Sequence, residues 1–534
     1  MPREGRDIIV RREYLVAVDV GTASARAGIF DDGGNMLARA THPIIMRRPQ
    51  ENHAEHDSSD IWSAVCSVVR ETLSIAKVEP SSVAAIGFDA TCSLVVRGAE
   101  GQPIAVSKSG EDRFDTIVWL DHRAIAEADF LTASGHPVLD FAGRSMSPEM
   151  QIPKLMWLKK HLPQSWARAG YFFDLADFLT WKASGSVKRS GCTLTAKWNF
   201  LAQDSNGWKA DYLELAGIPD LLERGNLPSV VTAPGESVGC LSPVAAAELG
   251  LDTGCHVAAG MIDAYAGALG ALGSTLNGNI ENSAALIAGT SSCLVALSKS
   301  AMPGQSLWGP YWGAILPEHW LVEGGQSATG ALLDHIVRMH AAGGEPDVAL
   351  HKAIAERVAV LRAEEGEGFA ARLHVLPDFH GNRSPLGDPH ALGVISGLTL
   401  DVSFDGLCRL YWRSAVAIAL GIRHVLEALG RFGYKIETLH VTGGHVRNPL
   451  LMELYADVTG RRIVTPETAD AVLLGTAMTA AAAGGIHADL LAAGAAMSPG
   501  GNERLPNAAL ASRYDRDYNR FLAMYRHREE LDRL

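Results

Sequence analysis

Apolar residues run from Tyr14 to Val20, broken only by Asp19, with no helical period. A short run of this kind reads as a strand buried on both faces. Gly21-Thr22-Ala23-Ser24 turns the chain, Arg26 to Phe30 runs back, and Asp31-Asp32-Gly33-Gly34 turns it again before Met36 to Thr41. The pattern predicts a β-meander whose first tip carries a glycine and two hydroxyls. Asp57 to Lys77 places Ile61, Val65, Val68, Val69 and Leu73 at helical spacing, with Asp57 or Ser58 as cap. Val83 to Asp89 is a second buried strand that ends in Asp89-Ala90-Thr91-Cys92-Ser93.

Further on, Ile117 to Arg123 (IVWLDHR) alternates Trp119 and Asp121 with apolar neighbours. Phe173 to Lys182 reads as a helix, and Cys192 to Phe200 sets Lys197 between apolar residues. A strand ends at Ala259, and Gly260 to Ala264 opens a helix of small residues with Asp263 in its first turn. Ala284 to Leu297 (AALIAGTSSCLVAL) repeats the opening pattern of strand, glycine-threonine, hydroxyl and strand. Such self-similarity is an internal duplication. Ala288 stands where the first copy has Asp19, so one copy alone is expected to handle a metal. Trp320 to Ile336 reads as a strand, a Glu323–Ser327 turn and a helix. Phe404 to Leu429 is a long helix, Glu437 to Gly444 a strand ending in a glycine pair, and Asn448 to Thr459 a helix capped by Asn448. Arg461 to Thr465 is a last short strand, Ala469 to Ala483 a small-residue helix, and the charged, aromatic tail from Ala508 a surface helix.

At 534 residues the chain exceeds what one core supports, so two domains are expected. A net charge of −13 argues against a nucleic-acid surface. Seven scattered cysteines without a C-x-x-C pair suggest neither zinc nor a disulfide framework, and fit a reducing cytoplasm. The N-terminal MPREGRDIIVRRE has no long apolar core, so no signal peptide is expected. The apolar run from Ala471 to Ile486 is short for a bilayer and reads as a buried helix.

Each polar position admits two readings. Tip amides at Gly21 can cradle phosphate oxygens, and Asp19 beside them can hold Mg²⁺; equally, the hairpin can end in an ordinary turn aspartate. Trp119 with a carboxylate suits a sugar face, or is a core tryptophan. Lys197 points into a cleft or snorkels, and snorkelling is favoured. Asp263 can take a proton from an attacking alcohol, or simply start its helix. Glu323 accepts sugar hydroxyls or sits in a solvated turn. Gly443 and Gly444 let backbone lie against a flat ring, or make a tight turn.

Taken together, DVGTASARAGIF, GMIDAYAGALG, IAGTSSC, EGGQSATG and VTGGHVRNPLLMELYADVTG, in this order, resemble the FGGY carbohydrate kinases. The likeness runs from about Tyr14 to about Gly485. It implies an α/β fold, the duplicated ribonuclease H-like two-domain fold of actin, Hsp70 and sugar kinases, with a cleft between domains. The expected domains are 14–268 for sugar, phosphate and Mg²⁺, 269–500 for ATP, and a helical tail over 501–534. GFDATCS, VWLDHRA, TAKWNF and VEGGQSATG look most like ribulokinases and other pentulose kinases. The resemblance therefore implies ATP-dependent phosphorylation of a ketopentose, ribulose-like, at its terminal hydroxyl.

Carried over residue by residue, the catalytic base is Asp263. The sugar contacts are Trp119, Lys197 and Glu323, with Asp121 and the Thr91–Cys92 backbone beside them. The phosphate loops are Gly21, Thr22 and Ser24, and Gly289, Thr290 and Ser291, with Gly330. The adenosine pocket is Gly443, Gly444 and Asn448, and the Mg²⁺ region is Asp19 with Asp263. The chain departs from the family at Ala23, where a second threonine is frequent, and at His445, where a third glycine is. The partners implied are a small sugar, with no nucleic acid and no membrane; a homodimer is a family habit. Alternatives left open are a kinase for L-ribulose, xylulose or a pentitol, a non-catalytic sugar sensor, and a chaperone or filament protein of the same superfamily.

Overall fold

A computed structural model describes residues 12–498 and 500–534. The stretch on which the absence of a signal peptide was read lies almost wholly outside them. The chain divides into two compact units. The first runs to Gly278 and also takes Tyr311–Leu321 and the segment from Thr468; the second takes the remainder, including the C-terminal tail. Neither a single cut near 268 nor a separate tail describes this division.

The sheet of the first unit runs in the order Met36–Pro43, Ser24–Phe30, Tyr14–Val20, Val83–Ala90, His256–Ala258, Ser237–Cys240, with Met261–Ile262 also beside Val83–Ala90. The second sheet runs Trp308–Trp312, Trp320–Gln326, Ser292–Ser298, Ser283–Ala288, Thr438–Thr442, Arg462–Pro466, Gly501–Arg504. In each, an antiparallel hairpin is followed by two parallel strands and an antiparallel edge. The duplication read from the two glycine-threonine tips is thus a duplication of topology. Register corrects its detail. Asp19 pairs with Arg26 and Ile287 with Cys293, each two residues before the loop glycine. Ile287, not Ala288, holds the place of Asp19.

Several elements differ in extent from the sequence reading. Phe173 and Asp174 close a strand, so their helix starts at Leu175. Glu323 to Gln326 lie within a strand, not in a turn. Only Thr116–Ile117 is strand before Trp119; the chain then turns, the Asp121 N–H donating to Val118 O at 3.0 Å. The C-terminal helix Ala511–Asp532 has a face on the core as well as a solvent face. Tyr514, Tyr518, Phe521 and Tyr525 are buried against the long helix Phe404–Arg431 and its neighbours. Each such aromatic contributes about 1.5–3 kcal/mol of burial.

Small residues let the helices Asp263–Leu272 and Ala471–Ala483 pack backbone to backbone. A Cβ on Gly475 would stand 2.8 Å from Ala266 C and Gly270 N, and one on Gly270 2.9 Å from Gly475 N. All seven cysteines are free thiols. Among the described residues, no helix is long and apolar enough to cross a membrane.

Candidate active site

In the first unit, three parallel strand ends meet at one edge. Asp19 lies in register with Asp89, and Asp89 with Met261, two residues before Asp263. In open α/β sheets this carboxyl edge is where ligands bind. Asp19 and Asp89 are fully buried. Asp19 pairs with Arg26, whose Nη1 also reaches Asp470 Oδ2 at 3.4 Å. Thr476 donates to Asp89 Oδ2. Burial pushes both carboxyls up, and each is pushed further by the other's charge or by that of Asp263. Asp263 opens its helix, Oδ1 accepting from the Ala264 N–H at 2.7 Å. The N-terminal dipole favours its ionised form.

The first hairpin tip is closed by the Gly21 N–H donating to Ser24 O at 3.0 Å. Trp119 Nε1 donates to Thr22 Oγ1 at 2.9 Å. A hydroxyl that accepts keeps its own proton to donate, so the tryptophan orients the tip hydroxyl. Behind Trp119, its N–H donates to Ser93 Oγ at 3.1 Å. Lys154 Nζ donates to the carbonyls of Trp119 at 3.3 Å and Glu149 at 3.2 Å. Lys154 is wholly buried, and that burial pushes its ammonium pKa down. Gln151, one turn earlier on the same helix, donates from Nε2 to Cys92 O and to Asp174 Oδ2, both at 3.0 Å.

Lys197 ends the helix Gly191–Lys197 and is only 3% exposed, so it does not snorkel. Its charge acts on Cys92, offsetting part of the burial that pushes that thiol up to about 12. The Ile262 N–H donates to Cys192 Sγ at 3.4 Å, tying this helix to the residue before Asp263. Asp121 is corrected. Its Oδ1 accepts from Arg123 N and Nε, both at 2.9 Å, and its Oδ2 from Arg123 Nη2 at 2.7 Å and from the Ala54 N–H. A carboxylate has about four acceptor sites, all taken here, so Asp121 braces the loop behind Trp119 and accepts no sugar hydroxyl.

In the second unit, the hairpin tip sits on the start of the helix Gly330–Met339. The N–H groups of Thr329, Gly330 and Ala331 donate to the carbonyls of Thr290, Gly289 and Thr290 at 3.0, 3.0 and 3.1 Å. Gly443 has φ +91°, and a Cβ there would strike the Ala288 backbone, so only glycine fits. Gly444 opens on free space. His445 turns inward. Its Nδ1 lies 2.8 Å from Tyr455 OH, its other edge faces Gly289, and burial pushes it down to about 4, so the ring is neutral. Thr329 Oγ1 donates to Gly289 O at 3.0 Å. Asn448 bonds locally: Oδ1 accepts from the Leu450 N–H at 3.1 Å, and Nδ2 donates to Tyr411 OH at 3.2 Å. These bonds shape the loop and leave one amide N–H of Asn448 to donate. Glu323 is buried, with Arg383 Nη1 3.7 Å from its Oε1.

Thus Asp19, Thr22, Thr91, Cys92, Trp119, Lys197 and Asp263 belong to the first unit, and Glu323, Gly289–Ser291, Gly330, Gly443 and Gly444 to the second. Arg26, Lys154, Gln151 and Arg383 were missed. Of these only Arg26 had a signal, because hairpin register places it across from Asp19.

The donor set fits Mg²⁺. Asp19 Oδ1 and Asp89 Oδ1 are buried oxygens to which no N–H or hydroxyl donates, and the two carboxyls lie close enough to share a proton. Among the described residues, no three acidic, histidine or cysteine side chains enclose a metal by themselves. That is also as expected, since Mg²⁺ keeps its waters and takes one or two carboxylates beside phosphate oxygens.

Two family models match the chain: the N-terminal domain of the FGGY family of carbohydrate kinases over residues 14–270, and the C-terminal domain over 284–484. An FGGY carbohydrate kinase domain-containing protein of Homo sapiens is 40% identical over 537 residues, covering 97% of each chain. A D-ribulokinase of Saccharomyces cerevisiae is 37% identical over 515 residues, covering 88% of this chain and 72% of the relative. Among solved structures, a xylulose kinase from Rhodospirillum rubrum superposes with a TM-score of 0.79 at 24% identity, over 97% of this chain and 99% of that one. A glycerol kinase from Plasmodium falciparum does so at 0.77 and 13% identity, over 96% and 98%. At these identities the structures show the shared two-domain α/β fold.

Proposed function

We propose, from the premise that this chain belongs to the FGGY family of carbohydrate kinases and is a phosphotransferase with an alcohol acceptor, that its acceptor is a ketopentose, D-ribulose first, phosphorylated at the terminal hydroxyl. The observation that carries the choice of sugar is the 37% identity, over 88% of this chain, to the yeast relative described as a D-ribulokinase.

Sugar kinases of this family use ATP, and the chain's residues divide the work accordingly. Trp119 lies under the sugar, and Lys197, Glu323 and the Thr91–Cys92 backbone orient its hydroxyls. Asp263 accepts the proton of the attacking hydroxyl. The Gly21–Ser24 and Gly289–Ser291 tips hold phosphate oxygens with N–H and O–H donors, and Gly443 and Gly444 bear the adenine. Asp19, with Asp263, would hold Mg²⁺, which when bound supplies positive charge to the phosphates.

The test is Mg²⁺-dependent turnover of ATP to ADP against D- and L-ribulose, D-xylulose, pentitols and glycerol. Turnover on D-ribulose at least tenfold above every other sugar is expected. Preference for another pentulose or a pentitol would replace the sugar and keep the reaction. ATP binding with no turnover on any of them would favour a sugar sensor.

A further inference from the structure

The loop that carries Arg383 is held from the C-terminal helix. Asp378 Oδ1 accepts from Asn382 Nδ2 at 2.9 Å and from Tyr525 OH at 3.1 Å, and Asp378 Oδ2 accepts from Arg528 Nη1 at 2.8 Å. Arg528 Nη1 also donates to Leu392 O at 3.3 Å. Asn382 passes the restraint on: its Oδ1 accepts from the Leu386 N–H at 3.1 Å, and its backbone exchanges both hydrogen bonds with Asp388 at 2.8 and 2.9 Å. Ser384 Oγ donates to Ser306 O at 3.0 Å. Between these fixed points stands Arg383, its guanidinium 4.9 Å from the Trp308 ring centroid and 3.7 Å from Glu323.

Asp378, Asn382, Tyr525 and Arg528 are each at most 6% exposed. Burying an ion pair earns little stability over apolar packing of equal volume, and its distinct effect is on geometry. The aromatic face of the helix already seats it. The charged pair adds a fixed loop position, and Arg383 stands on that loop beside Glu323. The helix Ala511–Asp532 lies outside both matched family regions.

We propose that the C-terminal helix sets the place of Arg383, and through it that of the Glu323 carboxylate, which makes Tyr525 and Arg528 positioning residues for the sugar. This rests on the reading of Glu323 as a sugar contact. The test compares Glu323→Ala, Tyr525→Phe, Arg528→Met and Arg528→Lys with the wild-type chain. KM is measured for D-ribulose and for ATP, with Tm and hydrogen–deuterium exchange over 376–390 in the absence of sugar.

We expect Glu323→Ala to raise the D-ribulose KM tenfold or more, Arg528→Met fivefold or more, and Tyr525→Phe two- to threefold. Arg528→Lys should recover part of the loss, and the ATP KM should stay within twofold throughout. Exchange over 376–390 should quicken in Tyr525→Phe and Arg528→Met. A lower Tm in these two with a D-ribulose KM within twofold of wild type, while Glu323→Ala still raises it, makes the helix scaffold only. The inference then fails and the sugar site stands. An unchanged D-ribulose KM in Glu323→Ala removes the sugar-site reading, and the inference with it. Should Arg528→Met not fold, Tyr525→Phe, which removes one hydroxyl, decides alone.

Discussion

Replacing Gly475 by alanine sets two effects of opposite sign against each other. Helix propensity alone favours Gly475→Ala by about 1 kcal/mol. Packing opposes it, because the new Cβ would stand 2.8 Å from Ala266 C and Gly270 N, and closer still to Ala266 O. These are backbone atoms of the facing helix and cannot swing aside. Bringing the 2.8 Å contacts to an ordinary 3.4 Å separates the helices by 0.6 Å or more. Overpacking of this kind costs about 1–3 kcal/mol, occasionally more; three backbone atoms struck at once put this site at the upper end, so the net expectation is a loss of about 2 kcal/mol. The displaced helix begins at Asp263, and a misplacement of ~1 Å can cost ~100-fold in rate. A kcat loss of tenfold or more should therefore accompany the lost stability. Gly430 supplies the control, since it lies in the helix Phe404–Arg431 with nothing within 4 Å of its would-be Cβ. Gly430→Ala should gain up to about 1 kcal/mol with unchanged kcat. Urea unfolding of both variants, with turnover measured alongside, settles the sign. A Gly475→Ala variant as stable as wild type would refute the close seating of these two helices.

Three more outcomes are expected. Asp263→Asn should lower kcat by about 10²–10⁴, the usual worth of a general base, with sugar and ATP KM within threefold; near-normal turnover would remove the base assignment. His445→Ala removes the ring's contacts to the Tyr455 hydroxyl and the Gly289 tip, so the ATP KM should rise about fivefold at constant sugar KM, an effect of about 1 kcal/mol. His424 sits among Tyr518, Phe521 and Tyr525, and burial pushes it from 6.5 down to about 4. Its folded pKa lies below the unfolded one, so on acidification the unfolded chain takes up the proton first and stability falls, by about 2 kcal/mol between pH 7 and 5. His424→Phe should remove that share of the fall in urea titrations at the two pH values, and an unchanged difference would show the ring to be solvated.

Much of the fold was legible because strand and helix periods are local. Both glycine-threonine hairpins, the Asp57 cap and the Asn448 cap stand where the pattern put them. Counting back from each loop glycine would also have given Ile287 in place of Ala288. The buried face of the last helix left a signal too, in aromatics at 514, 518, 521 and 525, spaced as one side of a helix. What sequence withholds is which polar group a long-range contact consumes. Asp121 is spent on Arg123 and the Ala54 N–H, and Asn448 partly on its own cap and Tyr411. Asp89 meets Thr476 across 387 positions of chain. Lys197 could not be assigned a direction until its helix had neighbours.

The return of the segment from Thr468 to the first unit bears on how the protein can be made. The helix Ala471–Ala483 packs on the Tyr14–Val20 and Val83–Ala90 strands and on the Asp263 helix, so that unit stays unfinished until nearly five hundred residues have left the ribosome. Until then the face of its central strands that this helix covers lies bare. A fragment stopping near Gly278 would carry that exposed surface permanently and is expected to aggregate. A second polypeptide supplying the missing helix in trans would be needed to rescue it.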